Sequence, residues 1–277
     1  MTAPRLRFDK YEGLGNDFVV VEAADEAAVS PSQAAVLCDR RFGVGADGVL
    51  LVLPARSPHC AARMRVLNAD GSIPEMCGNG LRCVVLHHAR RLPGARLPLS
   101  LSGDELVVET DAGERACRID AADGARATIT IDMGPVRVHG ERALSIDGER
   151  PVVTLADAGN PHAVLFGDFS RADAERLGPR IAMHPDFPRG TNVEFARVGA
   201  DGIDLVVWER GVGITLACGT GACATVAVAC AKQLTPRGVP VSVRLPGGPL
   251  QVTIDESGRA TMRGPARHVF SGETAGS

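Results

Sequence analysis

The chain alternates between short apolar segments of period two and turns rich in glycine, aspartate and asparagine. Such segments predict β-strands, mostly antiparallel. Two longer apolar runs predict helices: one from Gly80 to about Arg91, stopped by Pro93-Gly94, and one from Ala222 toward Leu234. The second run is apolar on every side, which is typical of a buried helix. Shorter helices are predicted from Ser30 to about Arg41 and from Ala172 to Leu177. The predicted strands are Arg5–Phe8, Phe18–Val21, Val49–Leu53, Arg63–Leu67, Leu106–Thr110, Ala116–Ile119, Ala127–Ile131, Val152–Ala156, His162–Phe166, Thr191–Val198, Ile203–Trp208, Val241–Leu245, Leu250–Ile254 and Ala260–Arg263, with the period-two pattern of the middle group beginning near Pro98.

The turn before each long helix is duplicated: residues 76–81 read MCGNGL and residues 217–222 read ACGTGA. A Gly-Asn pair precedes each copy, so that Asn16 lies 61 positions before Cys77 and Asn160 lies 58 positions before Cys218. Two elements repeated in the same order predict two related halves, residues 1–123 joined by the C-terminal segment 266–277, and residues 124–265. We therefore expect an α+β fold with two pseudo-symmetric halves, each a curved, mostly antiparallel sheet around a central buried helix.

The duplicated turns place a cysteine at the start of each long helix. A helix N-terminus presents unsatisfied N–H groups and partial positive charge, so it should lower the pKa of a thiol and attract a carboxylate. If a pseudo-twofold axis relates the halves, Cys77 and Cys218 lie on opposite sides of one cleft at their interface. Two such thiols, one starting as thiolate, can invert a carbon that bears an acidic hydrogen without a cofactor or metal.

Composition and charge exclude several other classes of protein. A net charge of −3 and 4% aromatic residues over 277 residues give no basis for nucleic-acid binding. The longest apolar run is too short to span a membrane, and the first ten residues lack a signal-peptide core, so we expect a cytoplasmic protein. The chain contains no Cys-X-X-Cys motif for zinc, and a glycine-rich segment at 43–48 precedes a strand, which is the wrong order for a dinucleotide site. The remaining thiols expected to be small core residues are Cys38, Cys83, Cys117, Cys223 and Cys230.

Nine segments in order along the chain match a known family: GLGNDF (13–18), GVGADG (43–48), NADGS (68–72), MCGNGLRC (76–83), GNPH (159–162), GTNVEF (190–195), WERGVG (208–213), ACGTGA (217–222) and HVFSGE (268–273). Through these segments, and along nearly its whole length, the chain resembles the diaminopimelate epimerases, a family of cofactor-independent amino-acid epimerases. The resemblance implies interconversion of LL- and meso-diaminopimelate in lysine and cell-wall precursor biosynthesis, and a homodimer. Some members carry Gln at the position of Gly48, so one side-chain contact would be absent or replaced by water.

The resemblance also implies a role for each matching residue. Cys77 and Cys218 would be the catalytic pair, with His162 and Glu209 beside the thiols to assist their ionisation. Substrate would be bound at two ends, and Glu209 would also lie near the distal ammonium group. The implied binding residues are Gly78, Asn79, Gly219 and Thr220 through backbone N–H groups, with Asn16 and Asn160, at the reacting carboxylate, and Asn68, Asn192 and Arg210 at the distal carboxylate.

Three other functions are compatible with the residues alone. A proline or hydroxyproline racemase of similar architecture should lack the distal pole formed by Asn68, Asn192 and Arg210. A redox or metal-binding protein would join Cys77 and Cys218 in a disulfide or bind zinc through them. A catalytically silent binding module would bind the substrate without exchanging its α-hydrogen.

Overall fold

The structure is a computed structural model that describes residues 5–91 and 105–274. The predicted helix stop at Pro93-Gly94, the start of the strand pattern near Pro98 and the last three residues of the predicted C-terminal segment lie outside these ranges. The described residues form four α-helices, α1 Pro31–Cys38, α2 Gly78–Arg91, α3 Arg171–Ala182 and α4 Gly219–Ala231, and sixteen strands, β1 Leu6–Gly13, β2 Asn16–Glu22, β3 Gly48–Leu53, β4 Ala62–Asn68, β5 Glu105–Thr110, β6 Gly113–Ala122, β7 Arg126–Pro135, β8 Arg137–Ala143, β9 Val152–Asp157, β10 Pro161–Phe166, β11 Asn192–Gly199, β12 Gly202–Glu209, β13 Gly213–Ile214, β14 Val241–Leu245, β15 Gly248–Ile254 and β16 Arg259–Thr274.

The chain divides into two compact units. The first unit contains Met1–Ile131 and Gly264–Ser277, and the second contains Asp132–Arg263. In the first unit the strands run in the order β1-β2-β3-β4-β5-β6-β7, and the last part of β16 pairs with β1. Among its described strand pairs, β2/β3 and β4/β5 are parallel and the others are antiparallel. The helix α2 packs on β1 to β4, with Leu81 and Leu86 fully buried.

The second unit repeats this arrangement. Its strands run in the order β15-β14-β12-β11-β10-β9-β8, with the first part of β16 beside β15 and the short β13 beside β12. Its parallel pairs are β10/β11 and β12/β14. They correspond to β2/β3 and β4/β5 of the first unit when β9 is matched with β1. The helix α4 packs on β8 to β11 and on β15, and eleven of its residues are buried.

The two units share register as well as strand order. Phe18 on β2 is opposite Gly48 on β3, and His162 on β10 is opposite Asn192 on β11 in the corresponding parallel pair. A Gly-Asn turn joins β1 to β2 in the first unit and β9 to β10 in the second, and Cys77 or Cys218 directly precedes the long helix. These features confirm the predicted α+β fold with two repeated halves, each a mostly antiparallel sheet on a buried helix.

Several predicted boundaries are wrong for identifiable reasons. The helix α1 ends at Cys38 because the Asp39 carboxylate accepts hydrogen bonds from the amides of Arg41 and Phe42, which closes a turn instead. The helix α3 continues to Ala182 through Pro179, since Leu177 and Ile181 are buried and hold its last turns on the sheet. The strand β8 was not predicted because most of its residues are exposed and show no alternation.

The remaining expectations about the core are met. Cys38, Cys83, Cys117, Cys223 and Cys230 are buried and form no disulfide. No helix in the described ranges is long and apolar enough to cross a membrane.

Candidate active site

Cys77 in the first unit lies directly before α2. Its sulfur accepts a hydrogen bond from the Gly80 amide at 3.4 Å, and its Sγ lies 4.0 Å from Oδ1 of Asn16. Asn79 in the first helical turn donates through Nδ2 to the same Asn16 oxygen at 3.2 Å. The Gly-Asn turn and the cysteine turn, which the sequence paired only by order, are therefore adjacent in space within this unit.

A network of charged side chains fixes these two amides. Nδ2 of Asn16 donates to the Asp47 carboxylate at 2.8 Å, and Arg40 bridges Asp47 to Asp17. Arg82, whose side chain is fully buried, donates to Oδ1 of Asn79 at 2.8 Å. Because Asn16 and Asn79 are each held at the amide, both side chains keep one orientation beside Cys77.

Cys218 in the second unit is the N-cap residue of α4. Its sulfur accepts from the Gly221 amide at 3.4 Å and lies 3.5 Å from Oγ1 of Thr220. Burial raises the pKa of the Cys218 thiol well above its ordinary value, and the carboxylates of Glu209 and Glu194 raise it further. The hydrogen bonds from Thr220 and the Gly221 amide act in the opposite direction and are the smaller effect.

The expectation of a lowered pKa is therefore wrong for Cys218. A helix N-terminus does stabilise a thiolate, but the residue is only 5% exposed and two carboxylates lie near its sulfur. Desolvation of the charged form outweighs two hydrogen bonds. In this arrangement Cys218 carries its proton at neutral pH.

Glu209 lies at the end of β12, close to Cys218. Thr215 donates to its Oε1 at 2.6 Å. Burial raises the pKa of Glu209, and the hydrogen bond from Thr215 opposes this shift. The charge of Glu194 raises the pKa a little further, whereas His162 and Cys218 lower it. The pKa values of Glu194, Glu209 and Cys218 are thus all raised in this part of the second unit.

His162 is held at both ring nitrogens. Nδ1 lies 2.7 Å from Oε1 of Glu194, and Nε2 lies 2.7 Å from Oδ1 of Asn160. The side chains of His162 and Glu194 are completely buried. Burial raises the pKa of Glu194, while the charge and hydrogen bond of His162 and the nearby Ala163 amide lower it. The sequence pointed to His162 and Asn160 but missed Glu194, which reads as an ordinary polar position in an alternating strand.

The predicted residues of the distal pole are in two places. In the second unit, Oδ1 of Asn192 accepts from the Arg210 amide at 2.9 Å, and the Arg210 guanidinium donates to the Arg189 carbonyl at 2.8 Å. In the first unit, Asn68 closes a turn by donating through Nδ2 to Oγ of Ser72 at 2.9 Å. Arg210 is exposed, so its fork of donors is accessible to a ligand.

The backbone donors predicted for the reacting carboxylate lie in first helical turns. Gly78 and Asn79 open α2, and Gly219 and Thr220 open α4. Helix N-termini of this kind attract anions, because their N–H groups and the helix dipole point the same way. Each unit therefore combines a thiol with backbone N–H donors at a helix N-terminus.

One group of side chains elsewhere in the first unit has the composition of a metal site. His59, Cys60 and Glu114 each offer one ligand atom, and these atoms lie within 4.8 Å of one another. Nε2 of His59 and Oε2 of Glu114 are 3.1 Å apart, which is an ordinary hydrogen-bonded pair, and both residues are exposed. The sequence indicated none of these three residues as functional.

Several known proteins are similar to this chain in sequence or in fold. The family model described as diaminopimelate epimerase matches residues 8–139 and 154–269. A diaminopimelate epimerase of Desulfitobacterium hafniense is 44% identical over 282 residues, which cover 95% of this chain and 96% of the relative. That of Desulforudis audaxviator is 45% identical, covering 97% of this chain and 99% of the relative. A solved hydroxyproline epimerase from Agrobacterium vitis, with bound trans-4-hydroxy-L-proline, has a TM-score of 0.74 over 99% of this chain and 92% of its own at 18% identity, which shows a shared fold.

Proposed function

Because the chain belongs to the diaminopimelate epimerase family, we propose that it interconverts LL- and meso-diaminopimelate in lysine and cell-wall precursor biosynthesis. The observation that carries the proposal is the duplicated thiol site. In each unit a cysteine sulfur accepts a hydrogen bond from the amide of the last glycine of a Cys-Gly-X-Gly turn that opens a buried helix. One thiol for each face of a carbon is what inversion by two bases requires. We further propose that each unit supplies one of these thiols.

The proposed reaction moves one proton off the α-carbon and another onto it. The Cys77 thiolate removes the α-hydrogen, and the Cys218 thiol donates its own proton to the opposite face. One C–H bond breaks and one forms, while the two cysteines exchange protonation states, so no cofactor takes part in the balance. The raised pKa of Cys218 supports its assignment as the acid in this direction.

The barrier to this step is the weak acidity of the α-hydrogen. Donors aimed at the substrate carboxylate stabilise the negative charge that develops as the proton leaves. The first-turn amides of Gly78, Asn79, Gly219 and Thr220, with the side chains of Asn16 and Asn160, are proposed for this task. Glu209 and His162 are proposed to assist proton transfer at Cys218. Before the transfer, the Glu209 charge keeps the proton on the thiol, because it raises the pKa of Cys218.

The distal end of the substrate distinguishes diaminopimelate from smaller amino acids. We propose that Asn68, Asn192 and Arg210 bind the distal carboxylate and that Glu209 lies near the distal ammonium. Arg210 suits a carboxylate because its planar fork can donate two parallel hydrogen bonds. Its amide is tied to Asn192, so a change at either residue should disturb the other.

Turnover of LL-diaminopimelate against L-proline tests the proposal. We expect epimerisation of the first and none of the second; a preference for L-proline would indicate a racemase on the same fold. Mild oxidation should inactivate the enzyme by linking or blocking the thiols, and reductant should restore it. Activity that requires the oxidised form would instead indicate a redox protein.

We also propose that the protein is a cytoplasmic homodimer, by analogy with the family. Light scattering on the purified protein should give twice the mass of the 28.9 kDa chain. A mass equal to one chain would contradict the proposal.

A further inference from the structure

The two units bury different side chains at equivalent positions beneath their cysteine turns. In the first unit an added Cβ at Gly80 would lie 3.0 Å from Cδ2 of Leu50. In the second unit an added Cβ at Gly221 would lie 2.9 Å from Oε1 of Glu194. Gly80 and Gly221 are each the third residue after the cysteine, so Leu50 and Glu194 occupy the same place in the repeat.

The neighbouring residue differs in the same way. The shared register of the parallel strand pairs makes Phe18 the counterpart of His162. The first unit thus buries an apolar pair, Phe18 with Leu50, where the second buries a titratable pair, His162 with Glu194. The same turn, sheet and helix form in both cases. The fold therefore does not require the polar pair.

Burying the polar pair is costly. Oε2 of Glu194 is buried and has no hydrogen-bond partner in the described part of the chain. A buried ion pair is often no more stabilising than apolar residues of similar volume, and an unsatisfied carboxylate oxygen makes the balance worse. A costly pair that the fold does not need points to a role in chemistry.

The hydrogen bonds show what that role is. Oδ1 of Asn160 can only accept, so Nε2 of His162 must carry the hydrogen of that bond. Glu194 holds the ring through its other nitrogen, and neither nitrogen is hydrogen-bonded to Cys218. With Oδ1 directed at the ring, the Nδ2 donor of Asn160 is left for a ligand.

We propose that Glu194 is a positioning residue of the epimerase reaction. It fixes the ring of His162, and through that ring it orients the amide of Asn160 toward the substrate carboxylate. The inference rests on the proposed function, because it assigns Glu194 to the same reaction.

Substitutions at Glu194 test this inference, beginning with the leucine that the first unit has at the equivalent position. In Glu194→Leu we expect kcat/KM for LL-diaminopimelate to fall on the order of 10- to 100-fold, since an unanchored ring leaves Asn160 misaligned. Glu194→Gln keeps the volume and one partner for Nδ1, so it should retain more activity than Glu194→Leu. Asp204→Asn removes a carboxylate from the neighbouring strand, where Asp204 pairs with Arg197 and Arg244, and should leave kcat/KM unchanged.

A double-mutant cycle separates positioning from a structural role. In the His162→Phe background, Glu194→Leu should cost no further activity, because it acts through the ring. The thermal midpoint of the double variant should stay at or above that of the parent protein, as expected when a buried polar pair is replaced by an apolar one. Each single variant leaves one buried polar partner alone and should be less stable than the double variant, so activities are compared per folded enzyme.

Four outcomes would overturn the inference. The first is activity of Glu194→Leu within about threefold of the parent. The second is an equal loss of activity from Glu194→Leu in the parent protein and in the His162→Phe background. The third is a Gln variant as inactive as the Leu variant. The fourth is a double variant less stable than the parent protein, which would make the buried pair structural. The parent enzyme is assayed first: if it does not epimerise LL-diaminopimelate, the proposed function fails, whereas an active parent leaves the variants to test Glu194 alone.

Discussion

Gly221→Ala is the substitution that probes the site with the smallest chemical change. The Gly221 amide donates to the sulfur of Cys218 at 3.4 Å. A methyl group at this position would lie 2.9 Å from Oε1 of Glu194 and 3.2 Å from Sγ of Cys218. Non-bonded heavy atoms prefer separations of about 3.5–4.0 Å, so the turn, the thiol or the carboxylate must move by roughly 0.5 Å.

The expected effect on stability is small because two effects oppose each other. Alanine is favoured over glycine inside a helix by about 0.5–1 kcal/mol. Forcing a methyl group into a well-packed site costs typically 1–3 kcal/mol. The free energy of unfolding should therefore fall by no more than about 2.5 kcal/mol, or by several degrees in the thermal midpoint.

The expected effect on catalysis is larger. A misplacement of about 1 Å at reacting groups can cost on the order of 100-fold, so a shift of half that size should cost about 10-fold in kcat. The assay compares kcat for LL-diaminopimelate in Gly221→Ala and in Gly199→Ala. Gly199 lies on β11, where an added Cβ meets nothing closer than 3.7 Å, so that variant should match the parent protein. If Gly221→Ala were folded and as active as Gly199→Ala, the close contact of Glu194 and Cys218 with the turn would not affect catalysis, and the reasoning would be refuted.

Five further predictions concern single residues. Cys77→Ala and Cys218→Ala should each abolish epimerisation while the circular dichroism spectrum stays unchanged; full turnover in either variant would refute the two-base assignment. Because the Cys218 pKa is raised, its thiol stays protonated where ordinary thiols ionise, so alkylation of Cys218 should be slow at neutral pH and accelerate as the pH rises. Glu209→Gln removes a negative charge beside that sulfur, which lowers its pKa and should speed alkylation at a given pH; an equal or slower rate would contradict the assigned cause. Arg210→Lys should raise KM more than it lowers kcat, because an ammonium group cannot donate the two parallel hydrogen bonds of a guanidinium. An unchanged KM would exclude Arg210 from substrate binding. Arg82→Met leaves buried acceptors without their donor and should lower the free energy of unfolding by about 2–4 kcal/mol in a denaturant titration, whereas a neutral result would mean that water replaces the guanidinium.

The repeat made the fold predictable from the sequence. The Gly-Asn and Cys-Gly-X-Gly elements identified two equivalent halves, and the all-apolar run after Cys218 identified a helix that could only be buried. Strand positions followed from period-two alternation. The boundaries that failed depended on side-chain contacts, such as the Asp39 carboxylate that ends α1 early.

The electrostatics of the site could not be predicted in the same way. A cysteine at a helix N-terminus suggests a low pKa, but the actual direction depends on how deeply Cys218 is buried and on carboxylates distant in sequence. Glu194 was missed because alternation in β11 assigns it to a solvent-facing position between Val193 and Phe195. That face is instead buried, because α4 packs on β11 opposite the α3 side chains that cover Val193 and Phe195. Only the assembled unit shows that its carboxylate meets His162.

The most direct test of the two-thiol mechanism is the fate of deuterium during turnover of LL-diaminopimelate in heavy water. Both thiols exchange their protons with solvent, and each acts on one face of the α-carbon. Early in the reaction the meso product should therefore carry deuterium at that carbon, while the recovered LL substrate remains unlabelled. Deuterium appearing equally early in recovered substrate and product would show that one group serves both faces, and would contradict the paired roles of Cys77 and Cys218.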